Sequence, residues 1–126
     1  MLNAADLVAF VATTDIAQAR AFYADVIGLA LTEDSPFACV FDANGTSVRV
    51  TPVRDHTPAP YTVLGWNVGD IAAAVRDLAR RGVDFQRFDG MEQDELGIWT
   101  TPGGDLVAWF KDPDGNLLSL TQYATE

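Results

Sequence analysis

Apolar positions along this chain switch between two periods, and they do so twice. Leu7 to Val11 is a short apolar run of strand length, followed by the polar pair Thr13-Thr14. Ile16, Ala19, Phe22, Tyr23, Val26 and Ile27 then recur at helical spacing. Asp15 stands where its carboxylate can cap that helix, with Gln18 three residues on as in a capping box, and Gly28 supplies a stop. The second half repeats the plan. Tyr61 to Val68 reads as the strand, Asp70 as the cap, Ile71, Ala74, Val75 and Leu78 as the apolar stripe, and Gly82 as the stop. Asp15 and Asp70 are 55 positions apart, as are Ile16 and Ile71. Each helix is followed by strand-like runs and a turn-closed hairpin, Asn44-Gly45 in the first half and Asp114-Gly115 in the second, 70 positions apart. Residues 90 to 95 and the run Leu96-Gly97-Ile98-Trp99-Thr100 form an extra loop and strand in the second half.

The half-unit is thus β-α-β-β-β, an α+β arrangement occurring twice: module 1 over residues 5–53, a linker over 54–60, and module 2 over 61–123. Pro52, Pro58 and Pro60 crowd the connection and mark the break. Either unit alone would have a poor core, so the pair is expected to form a single domain over residues 1–126. With 48% hydrophobic residues the chain can build a core. The formal charge of −10 repels polyanions, which argues against nucleic acid and acidic membrane as partners. The single Cys39 excludes an intrachain disulfide and suits a reducing compartment. No long apolar run appears and the N-terminus lacks a basic start, so a cytoplasmic location is expected.

The stretch Phe110-Lys111-Asp112-Pro113-Asp114-Gly115-Asn116-Leu117 carries turn chemistry between apolar flanks. The literal string resembles the last hairpin of the vicinal oxygen chelate superfamily, which includes glyoxalase I, extradiol dioxygenases and bleomycin-resistance proteins. The Asp-Ile-Ala helices of both halves extend the resemblance over essentially the whole chain. It implies two βαβββ modules curled into one cupped domain around a central cavity. It also implies, in the family's metal enzymes, one ligand on the first and one on the last strand of each module. Those four places map here to Val8, Arg49, Val63 and Ser119. Two valines have no lone pair to donate, an arginine cation repels a metal, and a serine hydroxyl is a weak ligand. No metal site and no cofactor are expected.

If those four residues face the cavity, strand alternation brings Phe10, Ser47, Thr51, Gly65, Asn67, Leu117 and Thr121 to the same face. Leu7, Ala9, Val11, Val48, Val50, Leu64, Trp66, Val68, Leu118 and Leu120 then point the other way, toward the helices. The candidate ligand-binding set is Val8, Phe10, Arg49, Thr51, Val63, Asn67, Trp99, Trp109 and Ser119. Arg49 is either a surface cation paired with one of the 18 acids or a fork for a ligand's carboxylate or phosphate. Trp99 and Trp109 line the cavity, a dimer seam or the core.

His56 in the Pro-rich connection reads as a solvated loop residue, and Glu92-Asp94-Glu95 lacks the spacing of a calcium loop. Asp112 and Asp114 belong to their turn, and Cys39, with no basic neighbour in sequence, reads as buried and inert. Two classes of function remain. One is a metal-independent protein that binds, and in doing so sequesters, a small hydrophobic or aromatic compound bearing an acidic group. The other is an enzyme of the same superfamily, a lyase, isomerase or dioxygenase. A metal-free enzyme would need an acid–base residue from strands not mapped here, near Glu33, Asp34 or Asp84. The resemblance and the exposed strand edges also lead us to expect a homodimer.

Overall fold

A computed structural model describes residues 1–125. The chain divides into two compact units, Met1–Pro58 and one beginning at Ala59, so the break falls inside the predicted linker.

In the first unit β1 (Val8–Thr13) leads into α1 (Ile16–Ala21), then β2 (Ala30–Ser35), β3 (Ala38–Ala43) and β4 (Thr46–Pro52). The four strands form one mixed sheet in the order β1-β4-β3-β2, with β1 and β4 parallel. Asp15 caps α1 as expected, its Oδ1 accepting from the Gln18 amide at 3.1 Å. Past Ala21 the helix widens into a π turn over Phe22–Val26, and Gly28 ends it at φ 88°. The Asn44-Gly45 turn has both residues at positive φ, the geometry that matches the twist of a two-residue hairpin. α1 packs on β3 and β4. Tyr23 of the π turn and Phe41, Val48 and Val50 of the sheet are all buried. Full burial of each such side chain contributes roughly 1.5–3 kcal/mol.

In the second unit β5 (Leu64–Asn67) leads into α2 (Ile71–Arg80), then β6 (Trp99–Thr100), β7 (Leu106–Lys111) and β8 (Leu117–Gln122). The sheet order β5-β8-β7-β6 repeats that of the first unit, with β5 and β8 parallel. Even the register repeats. Phe10 pairs with Arg49 in the first sheet and Gly65 with Ser119 in the second, separated by the same 55 and 70 positions found in the sequence. Asp70 caps α2 through the Ala73 amide, and α2 packs on β7 and β8. The hairpin turn is held by Asp112, which is buried. Its Oδ1 accepts from the Asp114 and Asn116 amides, and its Oδ2 from the Asn116 side chain at 2.8 Å.

Several boundaries differ from the sequence reading. Leu7 precedes β1 and is 73% exposed instead of packing against the helix, because it lies outside the sheet. Strand pairing over Tyr61 to Val68 is confined to Leu64–Asn67, and the run from Leu96 keeps only Trp99–Thr100 as strand. Pro52 closes β4 instead of opening the linker: it sits at the sheet's end, where its missing donor is tolerated. Among the described residues no helix is long and apolar enough to cross a membrane.

Candidate functional site

Each sheet has one face covered by its helix and one face free of it. In the first unit Ala9, Val11, Phe41, Val48 and Val50 turn to α1, as the alternation predicts. Val8, Phe10, Val40, Arg49 and Thr51 point away from it. Phe10 is 66% exposed there. In the second unit Ala108, Phe110, Leu118 and Leu120 turn to α2. Gly65, Asn67, Val107, Trp109, Ser119 and Thr121 share the opposite face, and Val63 leads into it by donating its amide to Leu117. The nine predicted site residues therefore lie on or at the edge of the open faces, five of them (Val63, Asn67, Trp99, Trp109 and Ser119) in the second unit.

Arg49 is on the predicted face, but its partner belongs to the chain. Arg49 Nη1 lies 3.7 Å from Glu33 Oε2, with the side chains 38% and 59% exposed. A β-bulge brings this about. Leu31 pairs with Phe41 while Glu33 pairs with Val40, leaving Thr32 as the extra residue, its hydroxyl donating to the Val40 carbonyl. The bulge sends Leu31 to the helix side and Glu33 to the open side, although two residues so spaced ordinarily share a face. Asp34, one residue on, consequently meets Arg20 of α1 at 3.2 Å on the other side. Of the two readings open for Arg49, pairing with an acid of the chain is the one present here, and an anionic ligand at Arg49 would compete with Glu33. Glu33 was one of three acids that alternation alone could not place.

A correction concerns Cys39. It is buried as expected, yet it does have a basic neighbour: the Arg20 guanidinium reaches it from α1, and Asp34 Oδ1 lies 3.6 Å from its sulfur. Burial pushes the thiol up from its ordinary pKa, against the smaller downward pull of Arg20. His56 is half-buried and not fully solvated.

On the open face of the second unit the aromatic residues gather. Trp99 and Trp109 lie with ring centroids 6.1 Å apart at 32°, and Phe88 meets Trp109 edge-on at 5.3 Å. Phe88 lies in a loop outside any strand, so no periodic signal in the sequence marks it. All three rings remain partly exposed. Beside them Gly65 presents bare backbone to the Ser119 hydroxyl. A separate cleft of about 430 Å³ opens on the helix side, lined among others by Asp70, Glu92, Asp94, Ile98 and Gln122. Asp70 is committed to capping α2, and Asp94 Oδ1 accepts the Leu96 and Ile98 amides.

The model of the Glyoxalase/Bleomycin resistance protein/Dioxygenase superfamily matches residues 5–120. The chain belongs to that superfamily. Solved members share its fold. A superfamily member from Sphaerobacter thermophilus is 24% identical, with TM-score 0.77 over 98% of this chain and 100% of that one. TioX from Micromonospora sp. ML1 is 19% identical, with TM-score 0.72 over 95% and 99%. Lactoylglutathione lyase from Agrobacterium tumefaciens is 15% identical, with TM-score 0.71 over 94% and 93%. At such identities the likeness establishes the fold. A comparison with curated proteins finds no match.

The superfamily's metal enzymes raise the question of whether this chain's residues fit a metal. Val8 and Val63 offer no donor atom, Arg49 is a cation already paired with Glu33, and Ser119 is a lone neutral hydroxyl. Among the described residues no three His, Cys, Asp or Glu side chains gather as a metal site would need. This donor set does not fit a divalent ion.

Proposed function

We propose that this superfamily member binds small apolar or aromatic molecules without a metal. The observation that supports the reading best is the cluster of Trp99, Trp109 and Phe88, partly exposed on the face its own helix leaves free. Rings placed so, beside a few fixed polar groups, suit stacking of a flat ligand. The test is a titration with planar aromatic compounds followed by tryptophan fluorescence, with and without EDTA. Saturable quenching unaffected by EDTA is expected. Absence of quenching, or its loss on chelation, overturns the reading.

A metal-free enzyme is the second reading, favoured by Glu33, which the bulge delivers to an open face beside Arg49. A carboxylate so placed can take a proton from a carbon acid. Solvent deuterium uptake into a substrate, lost in Glu33→Gln, would identify it. We also propose that the protein works as a cytoplasmic homodimer, the dimer being suggested by the edge strands β1 and β2 of the first sheet and β5 of the second, each paired on one side only within its sheet. Light scattering should give twice the 13.6 kDa of one chain.

A further inference from the structure

The loop that carries Phe88 is closed by one side-chain amide, that of Gln93. The loop leaves the second sheet at Gln86, whose amide donates to the Trp109 carbonyl at 2.8 Å. It returns at Gln93, whose backbone pairs with Trp99. Between these points the Gln93 side chain bonds the backbone three times. Its Oε1 accepts from the Phe88 amide at 2.8 Å, and its Nε2 donates to the Gln86 and Gly97 carbonyls at 2.9 and 2.8 Å. One N–H and two carbonyls facing the same side chain require an amide of this length. Glutamate would turn oxygen lone pairs toward two carbonyls, and asparagine is one methylene too short. Arg87 ties the other side of the loop, donating to the Asp94 and Glu95 carbonyls. The Phe88 ring, fixed through its own amide, stands at 89° to the Trp109 ring with centroids 5.3 Å apart. Trp99 is tilted only 32° from that same ring.

We propose that Gln93 is the positioning residue of the aromatic ligand site: it touches no ligand itself, but sets the Phe88 ring against Trp109 before a ligand arrives. A loop phenylalanine without such a tether samples many positions, and ordering it on binding would subtract from affinity. Tethered, Phe88 bounds the space beside Trp109 and limits the width of the ring system that can lie there. The proposal rests on the small-molecule reading above and adds to it the residue that decides how well the site is formed.

The test uses 2-naphthol as the probe, titrated into the ¹⁵N,¹³C-labelled protein and read at the Trp99 and Trp109 indole N–H groups. Gln93→Glu and Gln93→Ala should each weaken it about three- to tenfold, the range set by one aromatic contact. Each should also erase the nuclear Overhauser contacts between the Phe88 and Trp109 rings and the ring-current shifts they exchange. In a Phe88→Ala background neither substitution should weaken the probe further, because the side chain it acts through is gone. Three results overturn the positioning role while leaving the aromatic site standing: a Phe88–Trp109 contact that survives Gln93→Ala, a lost contact with affinity unchanged, or a weakening that persists at full size in the Phe88→Ala background. Indole signals that the probe does not move in the unaltered protein overturn the site itself, and the role with it. The Phe88–Trp109 contact in Gln93→Ala then still reads the tether separately, so the two failures are told apart.

Discussion

The backbone of Gly65 lies so close to the Ser119 side chain that a methyl group added there would sit 2.7 Å from Ser119 Oγ. Real contacts of that type do not occur, so something must move. The hydroxyl can rotate only into space bounded by Trp109, its neighbour across the sheet. Gly65→Ala is expected to lower the denaturation midpoint by the equivalent of about 1–3 kcal/mol, the usual range for overpacking. Ser119→Gly in the same chain should recover most of the loss. The interaction energy of this double-mutant cycle, from urea denaturation, is the measurement. Additive costs would show that the two residues do not share the space.

Arg49 and Glu33 form a loose, half-exposed pair. Exposed ion pairs of this kind contribute roughly 0.2–1 kcal/mol and are screened by salt. Arg49→Met should therefore leave stability nearly unchanged. The coupling between Arg49→Met and Glu33→Gln should fall further in high salt. A coupling well above that range would mark the pair as a structural element of the first sheet.

Asp112 and Asp42 stand at corresponding turns, yet they should respond differently. Asp42 is exposed and accepts the Gly45 amide at 3.1 Å. Asp112 is buried and holds two amides and the Asn116 side chain. Hydrogen bonds to a charged group contribute about 1.5–3 kcal/mol, and stranded buried donors add to the loss. Asp112→Ala should cost roughly 2–4 kcal/mol and Asp42→Ala no more than about 1 kcal/mol, as read from chemical denaturation.

Cys39 should resist thiol reagents at neutral pH until the chain unfolds, since it is buried and its pKa is raised. The folded value lies above the unfolded one, so the thiol's contribution is whole below the unfolded value, about 8.5, and declines as pH rises past it. The unaltered protein should accordingly lose stability relative to Cys39→Ala between pH 7 and pH 9.5. Denaturation midpoints of the two proteins across that range check the sign. A constant difference would mean that the thiol ionises alike in both states.

What the sequence determined by itself was everything carried by local period and local chemistry. The two apolar helix stripes, the caps Asp15 and Asp70, and the Asn44-Gly45 and Asp114-Gly115 turns each depend on residues within a few positions of one another. The spacings of 55 and 70 were enough to align the two modules, and the real strand registers, Phe10 with Arg49 and Gly65 with Ser119, obey them. Strand alternation then sorted most side chains to the correct face, because a pleated strand leaves no other choice. The tertiary structure decided what alternation cannot count. One extra residue at Thr32 inverts the faces of Leu31 and Glu33 and supplies Arg49 with a partner. Arg20 reaches Cys39 only because α1 folds back over β3. Phe88 joins the two tryptophans from a loop with no period at all. Gly65 meets Ser119 so closely that a side chain there would collide with it, and this pairing between residues 54 positions apart is visible only once the sheet has formed.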